Sequence, residues 1–201
     1  MSSQVVLDVI DDVEAAFPHL PARAGRNGGW YMVHDETGGY ATPASAVRLE
    51  PARGASQYAA GISGQGFWSW GVQLGVALRA PASGYDASRY TGVRFAARGQ
   101  GTWSLQISDR SSVPQGGVCV EGSADPASGC YYTVGEAFTV GADWQVFSVR
   151  FDELRLLAVP NSSRRLDPSA IYDIVFNFQS DDGSPFELRV DDLAFTQTTT
   201  R

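Results

Sequence analysis

Several residue types are scarce in this chain, and each shortage narrows the functions it can have. There is no lysine: all 15 basic residues are arginine, they form no cluster, and the net charge is −7. A partner bound through phosphate contacts needs a basic patch, so the composition speaks against nucleic acid. Only two histidines occur, His19 and His34, and neither a GxSxG nor an HExxH motif accompanies them. The sequence therefore does not indicate an enzyme.

Long apolar runs are also missing. No run approaches the ~18 residues that a membrane-spanning helix requires. The start "MSSQVVLD" lacks the charged and apolar regions of a secretory signal, which leaves either a cytoplasmic protein or a chain that begins at its mature end. No stretch carries the apolar stripe of an amphipathic helix. The best helical fragments are single turns such as "FDEL" and "DPSAIY".

The two cysteines bear on the compartment. Cys119 and Cys130 flank a loop rich in glycine, serine, proline and aspartate, where a short-range disulfide closes easily. Such a bridge favours an oxidising compartment, so we expect a secreted, periplasmic or cell-surface protein. Two independent thiols are the alternative. Zinc is not indicated, because it would need further cysteine or histidine at fixed spacing.

What the sequence does contain is alternation with a period of two. In "WGVQLGVAL", "TWSLQISD" and "IYDIVFNFQS", apolar residues alternate with polar or small ones between turn residues, which is the pattern of half-buried strands. With 201 residues and no repeat, these runs predict an all-β fold. The expected architecture is one two-sheet antiparallel β-sandwich of the jelly-roll type over residues 1–201, with a flexible tail at 196–201.

Acidic residues concentrate at the two ends of the chain, in "VLDVIDDVEAAF" and "FELRVDDLAF". The first and last strands of a jelly roll often lie side by side, so Asp12, Glu14 and Asp191 can meet. Three carboxylates repel unless a cation neutralises them, and hard oxygen ligands select Ca²⁺. We therefore predict a structural calcium ion there. The alternatives are solvated edge-strand acids and, less favoured, a glycosidase pair.

Read in order, several segments resemble one family. They are "VIDDVEAAF", "GGWYMVHDETGG", "GFWSWGVQLGVAL", "YDASRYTGVRFAARG", "ADWQVFSVRFDEL" and "LDPSAIYDIVFNFQSDDGSPFELRVDDLAF". Together they are similar to secreted jelly-roll carbohydrate-binding modules with a galactose-binding-domain-like fold, in particular the family 11 type that binds β-glucan. The resemblance implies a structural calcium held by Glu14 and Asp191, with Asp12 nearby. Val13 stands where the family usually has phenylalanine.

The resemblance also implies a ligand site on a concave sheet face, where aromatic rings stack on sugars and polar side chains bind hydroxyls. The alternation supplies a polar, amide-rich face independently. Trp70, Trp103 and Trp144 fit apolar phases and are expected in the core, and the long cysteine loop could cover the groove. The candidate ligand-binding residues are Trp30, Tyr31, Trp68, Gln73, Arg94, Gln106, Ser108, Asp109, Tyr132, Asn177 and Gln179. Tyr131, next to Tyr132, is a further aromatic candidate.

Three functions follow from these observations. The leading one is a non-catalytic glycan-binding module stabilised by calcium, with a polysaccharide or oligosaccharide of β-glucan type as ligand and an attached catalytic domain or partner subunit as further expectations. The second is a structural or surface-assembly protein that uses the same jelly roll without sugar binding. A polysaccharide-acting enzyme is the third and least favoured.

Overall fold

The computed structural model describes residues 2–15, 17–159 and 161–200, which form an all-β molecule. Within these ranges the helical segments are two single 3₁₀ turns, Pro114–Gly116 and Pro168–Ala170. None of the described helices is long and apolar enough to cross a membrane. The strands are β1 (Ser2–Asp11), β2 (Gly29–His34), β3 (Tyr40–Ala41), β4 (Ser45–Arg53), β5 (Ser56–Gln65), β6 (Val72–Ala77), β7 (Gly92–Asp109), β8 (Val134–Val140), β9 (Gln145–Arg150), β10 (Arg155–Leu156), β11 (Ile171–Phe178) and β12 (Phe186–Thr200).

These strands form the predicted two-sheet antiparallel sandwich. In the first sheet, β12 lies between the first half of β7 and the strands β5 and β1; β9 follows β7, and β3 and β4 pair with β5. In the second sheet the order is β2, β6, β11, the second half of β7, β8 and β10. Every one of these pairs is antiparallel, so the jelly-roll fold class is confirmed.

Strand β7 belongs to both sheets, because it changes sheet near its middle. Its residues up to Gln100 pair with β12, and those from Gly101 onward pair with β8. At the crossing Gly99 has φ +150°, and a Cβ there would lie 1.9 Å from the carbonyl oxygen of Glu187. Only glycine fits so close to a neighbouring backbone. Side chains that point outward before and after the crossing therefore lie on different sheets.

The core lies between the two sheets and follows the predicted alternation. Val72, Leu74 and Val76 of β6 are fully buried, as are Leu105 and Ile107 of β7. Their neighbours in sequence point to the opposite face. Since burial of each such side chain stabilises the fold by roughly 1.5–3 kcal/mol, this inner face fixes the register of the second sheet and with it the composition of the outer face.

The two ends of the chain are paired with each other. In β1 and β12, Ser2 lies opposite Thr200 and Val6 lies opposite Thr196. Residues 196–200, which were expected to form a flexible tail, therefore continue the last strand, because β1 supplies their hydrogen-bonding partner. Residue 201 lies outside the described residues. The disulfide is confirmed: Cys119 and Cys130 are joined, with an S–S distance of 2.01 Å.

A buried ion pair holds the first strand to the sandwich. Arg26, which is 1% exposed, donates two hydrogen bonds to the carboxylate of Asp8, at 2.8 and 2.9 Å. Tyr90 Oη donates a third bond, of 2.5 Å, to Asp8 Oδ2. The hydrogen bond from Arg26, supported by that from Tyr90, outweighs burial and lowers the pKa of Asp8 to about 2. Part of the negative charge at the start of the chain is thus neutralised internally.

Candidate functional site

The outer face of the second sheet carries a groove that encloses about 1070 Å³. Its floor comes from β6, β11 and the second half of β7, whose outward side chains are predominantly amides and hydroxyls. Tyr131 and Tyr132, which follow the disulfide, also line the groove. Trp70, just before the start of β6, lines it as well. The groove thus combines polar hydrogen-bonding groups with exposed rings.

Gln106 at the centre of the floor is held by hydrogen bonds on both sides. Thr133 Oγ1 donates to Gln106 Oε1 at 2.8 Å, and Gln106 Nε2 donates to Ser104 Oγ at 3.0 Å. An amide fixed at both ends presents its remaining N–H and lone pair in one orientation. The floor is therefore ordered before any ligand arrives.

Asn177 of β11 lies next to this network and is incompletely satisfied. The side chain is 8% exposed, and its Oδ1 has no hydrogen-bond partner among the described residues. Its cross-strand neighbours are Gln73 on β6 and Ser104 on β7, both of which also line the groove. Because a buried acceptor without a partner costs roughly 1–3 kcal/mol, Asn177 favours a ligand that brings a hydroxyl donor.

Tyr31 of β2 lies across the backbone of β6. A Cβ built on Gly75 would come within 2.3 Å of Tyr31 Cζ and 2.6 Å of Tyr31 Oη, so the ring fills the space that glycine leaves. The hydroxyl faces the carboxyl group of Asp173 on β11, close enough for each group to shift the pKa of the other. Burial raises the pKa of Asp173 to about 6, against the opposing effect of the Tyr31 hydroxyl group. Asp173 is the one formally charged side chain among the described residues that line the groove.

The tryptophan segment before β6 is held rigidly. Asp35, which is 2% exposed, accepts hydrogen bonds from the backbone N–H groups of Ser69 and Gly71, at 2.9 and 2.8 Å. Gln179 Nε2 donates to the carbonyl oxygen of Ser69 at 2.8 Å. These bonds fix the segment so that Trp70 remains 44% exposed beside the groove.

The structure places seven of the predicted ligand-binding residues in the groove. They are Tyr31, Gln73, Gln106, Ser108, Tyr132, Asn177 and Gln179.

Three other candidates are placed where they do not contact the groove. Trp30 is 5% exposed and packs in the core, where its Nε1 donates to Asp11 Oδ2 at 2.6 Å. Arg94 precedes the crossing in β7 and therefore belongs to the first sheet, opposite Ser148 and away from the groove. Asp109 is 1% exposed and accepts hydrogen bonds from the loop that follows it, including one from Ser111 N at 2.9 Å.

Tryptophan positions show the largest departures from the predicted core. Trp103 is buried as expected. Trp70 is instead exposed, because Gly71 with φ +90° turns the chain and breaks the alternation before β6. Trp144 is half-buried, with the guanidinium groups of Arg53 and Arg98 stacked at 5.2 and 5.3 Å from its ring. Trp68, the remaining ligand candidate, is 60% exposed but is not part of the groove lining.

Some groove residues were missed by sequence reasoning. Asp173 fits the outward phase of its strand, so the alternation already carried its signal. The alternation placed Trp70 in the apolar phase and therefore predicted that it is buried in the core. Tyr131, by contrast, was an aromatic candidate from the sequence; it follows Cys130 directly, is 68% exposed and lines the groove.

The predicted calcium residues come together only in part. Ser56 Oγ donates to Asp191 Oδ2 at 2.6 Å and also lies 3.2 Å from Glu14 Oε1, so the two ends of the chain do meet. Asp12 is exposed, and its Oδ1 accepts a hydrogen bond from the backbone N–H of Glu14. Among the described residues, no group of three or more histidine, cysteine, aspartate or glutamate side chains could hold a metal.

Donors, rather than further oxygen ligands, surround these carboxylates. Arg53 Nη2 lies 2.7 Å from Asp191 Oδ2 and 2.5 Å from Asp192 Oδ2. Glu14 Oε1 accepts from the backbone N–H groups of Gln57 and Tyr58, at 2.7 and 2.9 Å. Calcium prefers six to eight oxygen ligands, so this arrangement does not fit it as it stands. The calcium ion stays a prediction, and it would compete with Arg53 for the same carboxylates.

Comparisons with known proteins agree with this fold. No protein-family profile matches the chain, and no curated protein matches it. Solved structures do: the family 11 carbohydrate-binding module of the cellulosomal cellulase Lic26A-Cel5E of Clostridium thermocellum is 16% identical, with 95% of each chain covered and a TM-score of 0.60.

Two further structures extend the comparison. A family 11 module from Clostridium thermocellum in complex with a β-1,3-1,4-mixed-linked tetrasaccharide is 15% identical, with 94% of each chain covered and a TM-score of 0.59. The family 30 module of the cellulase Cel9D-Cel44B of the same organism is 14% identical, with 98% of each chain covered and a TM-score of 0.53. At these identities the likeness establishes the fold. This chain has the jelly-roll fold of the family 11 and family 30 carbohydrate-binding modules.

Proposed function

We propose that the protein is a non-catalytic glycan-binding module whose ligand lies in the groove of the second sheet. The observation that carries this proposal is Asn177, a buried amide whose Oδ1 has no partner among the described residues and which lies in the groove floor. Sugars present hydroxyl groups that can donate to such an oxygen. A ligand hydroxyl group would therefore supply the partner that this acceptor lacks.

The rest of the groove suits a sugar chain as well. The fixed amide of Gln106 and its neighbours offer donors and acceptors in defined planes, which match the regular hydroxyl groups of a pyranose. Trp70 and Tyr131 offer flat apolar faces with polar edges, on which sugar rings stack. An opening of about 1070 Å³ has room for several sugar units.

A β-glucan is the ligand we favour. The support is the fold shared with a module that was solved with a β-1,3-1,4-mixed-linked tetrasaccharide, together with a groove lined by amides, hydroxyls and aromatic rings. At 15% identity, the individual contacts do not transfer between the two chains.

Binding without hydrolysis follows from the composition of the groove. Glycoside hydrolysis requires two carboxyl groups on either side of the scissile bond. The described groove residues include a single carboxyl group, that of Asp173. We also infer that the protein works outside the cytoplasm, because its loop is closed by a disulfide, and reducing compartments do not favour disulfides.

Isothermal titration calorimetry against mixed-linkage β-glucan, xylan and agarose tests the proposal. We expect β-glucan to bind, and we expect Asn177→Ala and Trp70→Ala each to weaken its affinity by about tenfold. Arg94→Ala is the matched control, since Arg94 lies on the first sheet and should leave binding unchanged. Thermal melting of each variant shows that it is folded. If none of the polysaccharides binds to the folded wild-type protein, the glycan-binding proposal fails and the scaffold function gains support.

A further inference from the structure

Tyr31 and Asp173 form a unit at one side of the groove. The Tyr31 ring lies on the β6 backbone at Gly75, where it takes the place of a side chain, and its hydroxyl faces the carboxyl group of Asp173. Both residues are partly buried and both line the groove. The pair therefore presents one aromatic face and one carboxyl group to any ligand that lies there.

No opposite charge accompanies this carboxyl group. The cross-strand neighbours of Asp173 are Ala77 on β6 and Ser108 on β7, which carry no charge. From β2, Tyr31 is the titratable group that faces it. None of the described residues that line the groove is an arginine or a histidine. The protein as a whole is also acidic, with a net charge of −7.

We propose that the Tyr31–Asp173 pair makes the groove selective for neutral glycans and rejects chains that carry carboxylate or sulfate groups. This inference rests on the proposed function and adds the residue that determines which ligands are accepted according to their charge. Asp173 accepts hydrogen bonds from the hydroxyl groups of a neutral sugar, as carboxylates do in polar contacts. A second anion placed beside it meets unscreened repulsion, because a bound chain displaces water from a groove that holds no compensating cation.

The selectivity should depend on pH. The pKa of Asp173 is raised to about 6 by burial, so the carboxyl group is charged at pH 8 and neutral at pH 5. Rejection of anionic chains is therefore fully present near pH 8, is halved near pH 6 and is lost as the pH falls toward 5. Tyr31→Phe keeps the ring but removes the hydroxyl group that lowers the pKa of Asp173. That change should move the midpoint to higher pH.

The test compares mixed-linkage β-glucan with the same polymer after light carboxymethylation. For the wild-type protein at pH 8, we expect the neutral polymer to bind about tenfold more tightly, which is the order expected for one like-charge pair within a groove. At pH 5 the ratio should shrink toward one. Asp173→Asn should bring the ratio close to one at both pH values. Glu50→Gln, an equal change of charge at an exposed position on the first sheet, should leave the ratio as in the wild type.

The outcomes separate this inference from the proposed function. If neither polymer binds, the proposed function has failed. If the wild-type protein binds both polymers equally at pH 8, glycan binding stands and the role of Asp173 is overturned. The wild-type protein alone tests the role of Asp173 even if Asp173→Asn does not fold. If its ratio of affinities for the two polymers is the same at pH 5 and pH 8, that role is overturned.

Discussion

Arg53 donates a hydrogen bond of 2.7 Å to Asp191 Oδ2, although 138 positions of the chain separate the two residues. The contact joins the hairpin of β4 and β5 to the last strand. Asp191 is completely buried, and burial raises the pKa of its carboxyl group in spite of the bonds from Ser56 and Arg53. Arg53 therefore supplies positive charge at the place where the sequence predicts calcium.

This relationship makes the dependence on calcium testable. If the guanidinium neutralises Asp191, the melting temperature of the wild-type protein should be the same in EDTA and in millimolar CaCl₂. Arg53→Ala leaves a buried carboxylate without its partner, so we expect the free energy of unfolding to fall by about 3–5 kcal/mol. Calcium should then stabilise this variant, since the carboxylates become free to bind it.

Differential scanning calorimetry measures all four combinations of protein and condition. Arg48→Ala is the control, because Arg48 lies on the same strand and its ion pair among the described residues is the exposed one with Glu50, at 3.8 Å. A clear fall in the wild-type melting temperature upon addition of EDTA would show that a calcium ion binds after all, as the resemblance to the carbohydrate-binding modules implies.

A second prediction concerns Gly75, whose missing side chain makes room for Tyr31. Gly75→Ala would place a Cβ 2.3 Å from Tyr31 Cζ, so the ring must move away from Asp173. We expect β-glucan affinity to fall by about tenfold, while the core on the other face of β6 remains packed. Tyr31→Ala should cost a similar factor.

The double variant distinguishes the cause. If Gly75→Ala acts through the ring, adding it to Tyr31→Ala should weaken binding no further, which a double-mutant cycle by calorimetry measures. Additive losses would mean that glycine matters for another reason, such as direct contact of the ligand with the β6 backbone.

Much of the groove floor could be predicted, because side chains along a strand alternate between the two faces of the sheet. One residue that points inward therefore fixes the direction of its neighbours. Once Leu105 and Phe176 point inward, Gln106 and Asn177 must point outward. The same rule does not say which sheet a residue belongs to. Arg94 was misplaced for that reason, since only the backbone geometry at Gly99 reveals that β7 changes sheet.

Alternation also fails to predict burial where two aromatic residues are adjacent in the sequence. Trp30 and Tyr31 are both large and both amphipathic, so alternation alone cannot decide which of the two faces the core. The structure decides through partners: Asp11 accepts the indole N–H of Trp30, and Gly75 leaves space for the ring of Tyr31. Both partners are distant in sequence, and the pairing depends on the register of strands that sequence alone does not specify.

A third prediction follows from the buried pair of Asp8 and Arg26. The pKa of Asp8 is lowered from 3.8 to about 2, chiefly by its hydrogen bond from Arg26. Ionised Asp8 thus contributes stability that is fully present above pH 4 and is lost as the pH falls toward 2. Asp8→Asn should lower the free energy of unfolding by about 3–5 kcal/mol at pH 7, because Arg26 stays buried without a counterion.

The pH dependence isolates this pair from the other acids. Urea unfolding of both proteins at several pH values between 5 and 2 should show a steeper loss of stability for the wild type than for Asp8→Asn. Parallel curves would mean that other acidic groups account for the loss and that Asp8 is protonated at its usual pKa in the folded protein.

The last prediction concerns the disulfide-closed loop as a wall of the groove. Cys119 and Cys130 close a loop with a sequence separation of 11 residues, and Tyr131 N, directly after it, donates to Ser112 O at 2.7 Å. Ser112, Tyr131 and Tyr132 all line the groove. Replacing both cysteines by serine should lower the free energy of unfolding by about 2–3 kcal/mol, since the open chain regains entropy in the unfolded state.

The same double variant should weaken β-glucan binding at a temperature where it is fully folded, because the wall must then be ordered when the ligand binds. The measurement is calorimetric titration well below the melting temperature, beside Tyr131→Ala in the intact loop. If the serine variant keeps wild-type affinity whereas Tyr131→Ala loses it, the ring matters and the bridge serves stability alone. If both bind as the wild type does, the loop does not contact the ligand, and the binding surface is the sheet together with Trp70.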